Sequence, residues 1–208
     1  MGFVIMECIG CLSNVVPAPV PQSAHIGIAL SSRTLIPLKL FEQNITAIYF
    51  ARLEDDQSDL ISKLPPIPSN AKSGNRFYLL NALPGRYVAV AALEPPNVRV
   101  NAAGGPGSVG YVNRTPGSYV VFSKPLVALT EVKAEPGRLV FMGNFIVKAY
   151  VKLGEPDPDE VQLDTISHKP PENPSYNLGS VSKAEQGLDS RQQFLLKAKG
   201  DLGELGWG

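Results

Sequence analysis

Cys8 and Cys11 stand three positions apart in "ECIGCL", and they are the only cysteines in 208 residues. That spacing admits three chemistries. A Cys-x-x-Cys pair can hold a metal or cycle between dithiol and disulfide, but it then needs a second ligand pair or a strand–helix turn. Neither is visible, and His25 and His168 lie in different contexts. A structural disulfide between the two would close too short a loop to do much for the fold. The third chemistry is lipidation. Ile9-Gly10-Cys11 places a small residue before an acceptor cysteine, an apolar run (Gly2 to Met6) precedes it, and the proline-rich "VVPAPVPQS" (15–23) follows. That order of hydrophobic stretch, small-residue cleavage site and tether is what a bacterial lipoprotein signal requires. Ten residues precede Cys11, none of them Lys or Arg; Glu7 interrupts the apolar run, and Cys8 stands where Leu is more usual. The lipidation reading therefore calls for a basic segment in frame upstream of Met1. Its alternative is an unprocessed N-terminal tail.

Other candidate chemistry is thinner. The Gly-rich "AAGGPGSVG" (102–110) lacks the Gly-Lys-Ser/Thr ending of a phosphate loop, and Pro106 removes a backbone donor. The acidic "EDDQSD" (54–59) and "DPDEVQLD" (157–164) lack the EF-hand spacing and read as solvated turns. His25 precedes an apolar strand and reads as a satisfied edge residue; His168 sits in a proline-rich stretch and reads as solvated. Neither has a Ser-His-Asp motif beside it. Asn44-Ile45-Thr46 and Asn113-Arg114-Thr115 match glycosylation sequons, which matter only in a eukaryotic secretory context. No catalytic residue, metal site or cofactor is expected.

The elements around these residues are mostly strands. Runs with β character fall at 26–30, 34–41, 45–53, 76–81, 86–93, 119–123, 126–133, 138–142 and 145–152. In the last, Phe145, Val147, Ala149 and Val151 share one face, and Ile146, Lys148, Tyr150 and Lys152 the other. Pro37 marks 34–41 as an edge or bulged strand. Pro-Gly precedes a β-prone run three times, in "LPGRYVAVAAL", "TPGSYVVF" and "EPGRLVFM", at unequal intervals that exclude a fixed repeat. Pro84 sets its own φ for a tight turn and Gly85 supplies positive φ, so 76–93 reads as a hairpin. Long connections follow at 54–75 and 94–115. Residues 188–202 turn helical, with Leu188, Leu195, Ala198 and Leu202 at helical spacing and Phe194 beside them. Asp189 or Ser190 would cap its start, Gly200 would end its regular part, and Leu205 and Trp207 would dock beyond it.

Lys plus Arg and Asp plus Glu each number 19, so the formal charge is zero. A nucleic-acid binder needs a basic excess, so none is expected. Hydrophobic residues make up 44%, enough for a core, and 19 Gly with 19 Pro suit short strands joined by turns. No apolar run is long enough to span a bilayer as a helix. The expected fold is mainly β: an antiparallel β-sandwich, prealbumin-like or Ig-like, with a short C-terminal helix. The expected divisions are a tether (1–23), the sandwich (24–153), an acidic proline-rich spacer (154–187), and a helix with its tail (188–208).

"FYLLNALPGRYVAVAA" resembles a hairpin of prealbumin-like and carboxypeptidase-regulatory-like sandwich domains, through Phe77, Leu83, Pro84, Gly85 and Tyr87. The resemblance implies that Leu83 and Tyr87 face the core. "EVKAEPGRLVFMGNFIV" is similar to the second hairpin of small bacterial lipoprotein domains of unknown function, whose tails often carry a helix ending near Gly-Trp, as "FLLKAKGDLGELGW" does. The implied role is a non-catalytic, lipid-anchored envelope protein, structural or binding, on the outer-membrane or periplasmic side. Its partners would be the membrane and an unidentified protein or glycan. Two alternatives stay open. One is a carbohydrate- or peptide-binding module using Tyr111, Tyr119 and the 94–115 loop. The other is a hydrolase with a dispersed site. A cytoplasmic location is the alternative if Cys11 carries no lipid.

Overall fold

The computed structural model describes residues 19–20, 22–36, 39–53, 66–95, 97–101, 111–115, 119–153 and 175–204. In chain order the elements are β1 (Ala24–Ile36), β2 (Lys39–Gln43), β3 (Ala47–Leu53), β4 (Ile67–Pro68), β5 (Ala71–Ser73), β6 (Arg76–Ala82) and β7 (Gly85–Leu93). Then come β8 (Asn97–Asn101), β9 (Tyr111–Thr115), β10 (Tyr119–Phe122), α1 (Lys124–Leu129), β11 (Val132–Ala134), β12 (Leu139–Leu153), β13 (Ser175–Glu185) and α2 (Leu188–Glu204).

Most strands join one sheet, in the order β4-β3-β7-β10-β13-β12-β1-β6-β5, with β11 added to β7 and β2 to β1; β8 and β9 pair apart. The β1–β12 and β10–β13 pairings are parallel and the others antiparallel. The protein is thus mainly β with a C-terminal helix, as expected. The sheet, however, is single and mixed, and it curls upon itself instead of forming two antiparallel layers. Its first and last strands, β4 and β5, are successive in the chain. Only Ser69 and Asn70 separate them, so one short segment touches both arms of the curl.

The curl exists because several strands bury both faces. On β6, Phe77 and Leu79 join the large inner core while Tyr78 and Leu80 join a second cluster outside. Ile26, Ile28 and Leu30 of β1, Phe145, Val147 and Ala149 of β12, Val88 and Val90 of β7, and Ile48 and Phe50 of β3 fill the inside. The alternation expected over 145–150 holds, with Lys148 and Tyr150 exposed. Outside, Phe194 and Ala198 of α2 pack on Ala29, Ala71, Tyr78, Leu80 and Phe141. Burial of this kind contributes about 25 cal/mol per Å² of apolar surface, and the Phe194 ring, packed on Tyr78 and Phe141, supplies much of the apolar contact of α2.

Several expectations are corrected. β6 and β7 do not pair with each other: β6 bonds to β1 and β5, and β7 to β3, β10 and β11. Gly85 does take positive φ, +152°, but the turn is an arch between the two arms of the curl. Leu83 is 65% exposed while Tyr87 is buried, its hydroxyl donating to the Leu83 carbonyl at 2.8 Å. The run 126–133 is not one strand. Pro125 sits in the first turn of α1, where its missing N–H costs nothing, and Leu126 and Val127 turn inward. Thr130, fully buried, then accepts from the Ala89 N–H at 2.8 Å and donates to the Val127 carbonyl at 2.7 Å. Residues 175–185, read as spacer, form β13, which lies between β10 and β12. Residues 154–174 of that spacer, Pro37, Leu205 and Trp207 lie outside the described residues. Helix α2 runs through Gly200, and Leu188 is 75% exposed.

Candidate functional site

The polar groups that meet most closely do so at the end of α2. Phe194, Ala198 and Asp201 occupy one stripe of the helix, and Asp201 thereby points at β5 and β6. Its Oδ2 accepts from Arg76 Nε at 2.6 Å and from the Tyr78 hydroxyl at 2.5 Å. Its Oδ1 accepts from Arg76 Nη2 at 2.7 Å and from the Ser73 hydroxyl at 2.8 Å. Burial alone would raise the carboxyl pKa. The bonds from Arg76, Tyr78 and Ser73, with the Arg76 charge, outweigh that and bring it down to about 2. Burial, then the carboxylate, push the Tyr78 phenol up, and the Asp201 bond holds Arg76 firmly charged. Every acceptor direction of Asp201 is occupied, so this cluster fastens the helix and leaves no reactive group.

Beside it lies a cleft of about 110 Å³ between α2 and the sheet. Its floor is a row across four strands. Glu185 pairs with Asn144, Asn144 with Ala29, and Ala29 with Arg76. Asn144, Ala29 and Arg76 leave the outer face because their strand neighbours Phe145, Ile28, Leu30 and Phe77 point into the core, and Glu185 lines the cleft beside them. Its wall is one face of α2: Ser190, Gln193, Phe194 and Lys197. Asn75 closes one end, its Nδ2 donating to Ser31 Oγ at 3.3 Å. Phe141 stacks on Phe194 with centroids 4.5 Å apart. At the opposite end Glu185 accepts from Asn144 Nδ2 at 3.0 Å and pairs with Lys183 at 2.5 Å. Its carboxyl is held below the usual range, chiefly by Lys183.

The residues singled out from sequence fall elsewhere. Cys11, His168, both acidic runs and the Gly-rich loop lie outside the described residues. His25 is half-buried on β1, which lies between β12 and β6 and is not an edge. Its Nδ1 accepts from the Asn81 N–H at 3.3 Å, and burial lowers its pKa. Tyr119 opens β10 and packs edge-on against Tyr49 at 5.5 Å. Burial, then Tyr119, push the Tyr49 phenol up to about 12. Tyr111 opens β9. Among the described residues no group of three or more His, Cys, Asp or Glu could hold a metal, and no helix is long and apolar enough to cross a membrane. Of the cleft residues, sequence drew out only Phe194 and Ser190, as a helix-face and a capping residue and not as parts of a site. The one readable signal was Asp201, an acid on the apolar stripe of a helix.

The fold and cleft define a single curled, mixed β-sheet domain with a helix fastened to its outer face. No protein-family model matches the chain, and neither a characterised protein nor a solved structure does.

Proposed function

We propose that this protein is a non-catalytic domain tethered to a bacterial membrane by lipid on Cys11, with a structural or binding role at the cell envelope. The sequence supports this through the apolar run, Gly10-Cys11 and the proline-rich segment after them. The sequence likeness of "EVKAEPGRLVFMGNFIV" and the Gly-Trp tail to small bacterial lipoprotein domains of unknown function supports it too. The observation that carries it is therefore in the sequence, Gly10-Cys11 between the apolar run and the proline-rich segment; the structure adds a clamp at the first described residues that suits a tether. Val20 N–H donates to Asn81 Oδ1 at 3.0 Å. Ser23 Oγ donates to the Val20 carbonyl at 2.7 Å and lies 3.0 Å from the same Asn81 oxygen. Asn81 takes a positive φ of 58°, rare for a residue with a side chain, and so offers its amide to the incoming strand. A tether pulling on residue 19 therefore loads β6 and β1 at one fixed point.

Partition of the full gene product, with its natural upstream sequence, between detergent and aqueous phases tests this reading. The wild type should enter the detergent phase, and Cys11→Ala should move it to the aqueous phase without changing its melting temperature. Two acyl chains anchor stably because each buried CH₂ contributes about 0.8 kcal/mol. An aqueous wild type that retains residues 1–10 would sink the reading, and a cytosolic interaction domain would replace it.

A further inference from the structure

We infer that the cleft between α2 and the sheet is a binding site for a small zwitterion of the amino-acid class. Its row of Glu185, Asn144, Ala29 and Arg76 crosses four neighbouring strands. With strands about 4.8 Å apart, the two charged ends stand about 14 Å apart at the backbone, and both side chains line the same cleft. Ala29, the smallest member, leaves the hollow between them. Phe141 and Phe194 give that hollow an apolar side. One end thus carries a carboxylate and the other a guanidinium, and the middle sets the apolar side of Ala29, Phe141 and Phe194 beside the amides of Asn144 and Gln193.

The cationic end has capacity to spare. Asp201 occupies Arg76 Nε and Nη2, which leaves Nη1 uncommitted among the described residues. The Lys197 ammonium, on the helix wall, has no partner among the described residues either. A carboxylate lying between Arg76, Lys197 and the amide of Gln193 would receive charge-assisted hydrogen bonds. At the other end, Glu185 Oε1 takes one bond from Lys183 and Oε2 one from Asn144. A carboxylate oxygen accepts about two, so room for an ammonium remains.

Size and charge select the class. A volume of about 110 Å³ corresponds to roughly four waters at about 30 Å³ each, enough for a molecule of six or seven heavy atoms. A nucleotide or a disaccharide would fill it and project beyond it. A simple anion would meet Glu185 unfavourably, and a simple cation would meet Lys197; a dipolar molecule satisfies both ends at once. The Asp201 cluster fixes the helix wall in advance, which lowers the ordering cost of binding. The site goes beyond the tethering reading and stands independently of it.

Titration of the full chain carrying Cys11→Ala, followed by amide chemical shifts, tests the inference with glycine, β-alanine and 4-aminobutyrate as probes. At least one should give saturable shifts confined to the amides of Ala29, Asn144, Glu185 and Gln193. Acetate and methylammonium, each carrying one of the two charges, should bind at least ten-fold more weakly. Glu185→Gln and Lys197→Met should each cost ten-fold or more in affinity with an unchanged melting temperature, while Lys199→Met should cost nothing. Absence of saturation by all three zwitterions would overturn the site. So would acetate binding equally well, or wild-type affinity in Glu185→Gln. None of these outcomes bears on lipidation of Cys11, which the phase partition decides alone.

Discussion

The carboxylate of Asp201 and the guanidinium of Arg76, 125 positions apart in the chain, meet through two parallel hydrogen bonds of 2.6 and 2.7 Å. This pair ties the last turn of α2 to β6. Its neighbours Tyr78 and Ser73 satisfy the remaining acceptor capacity, so the charge is buried without an orphaned lone pair.

Acid should loosen this joint first. The folded pKa of Asp201, about 2, lies below its ordinary 3.8, so the contribution to stability is complete above pH 3.8 and is lost as pH falls toward 2. The shift corresponds to about 2 kcal/mol. Asp201→Asn should destabilise the domain by about 3 kcal/mol at neutral pH and flatten that acid-dependent step. Urea unfolding from pH 5 to pH 2 measures both; a variant with the wild-type acid slope would contradict the assignment.

Gly27 faces Phe194 across the helix–sheet seam. A Cβ at Gly27 would stand 2.6 Å from Phe194 Cζ. Gly27→Ala should therefore lift the helix and cost about 1–3 kcal/mol. Hydrogen exchange should show α2 amides losing protection before those of β7. Equal loss across the molecule would mean that the helix does not move separately.

Gly85 closes the arch between β6 and β7. With φ at +152° and Arg52 Nε 2.8 Å from the place of a Cβ, it tolerates no side chain. Gly85→Val should cost about 1–3 kcal/mol and break the bond from Arg52 Nη2 to the Pro84 carbonyl. An unchanged thermal midpoint would refute this account of the turn.

β13 is bonded on both sides, by β10 and β12. A protease site placed within 154–174 and then cut should leave the C-terminal piece, with β13 and α2, attached under native conditions. Gel filtration should show one peak and denaturing electrophoresis two bands. Release of the piece without denaturant would show that β13 docks only loosely.

What could be read in the sequence divides along a physical line. Alternation over Phe145 to Tyr150 and the apolar run from Tyr87 to Ala92 foretold buried strands, because period and burial are local properties. Pro84-Gly85 foretold a reversal and positive φ. It could not say which strands would bond across the turn, since a reversal is local and a partner is not. Ser175 to Glu185 carries few apolar residues and follows a proline-rich acidic stretch, so its central place rests on partners supplied from elsewhere. Leu126 and Val127 fit strand and helix alike until tertiary packing chooses. The cleft was invisible for a similar reason: its row joins Glu185, Asn144, Ala29 and Arg76 across strands, and no sequence window holds them together.

The short segment Ile67–Ser73 has a consequence for the molecule among its own copies. Asn70 exchanges two hydrogen bonds with the Leu80 backbone through its side chain, Nδ2 to the carbonyl at 2.9 Å and Oδ1 from the N–H at 2.8 Å. Ser69 does likewise for Ile48: its Oγ accepts from the Ile48 N–H at 3.1 Å, and its own N–H donates to the Ile48 carbonyl at 2.7 Å. Side chains thus stand in for ladder bonds where the strand path ends, and the terminal strands are only two and three residues long. Exposed long edges are templates for aggregation and fibril growth. At these two ends the protein offers neighbouring molecules almost nothing to copy, so its own copies find no template there for adding a strand.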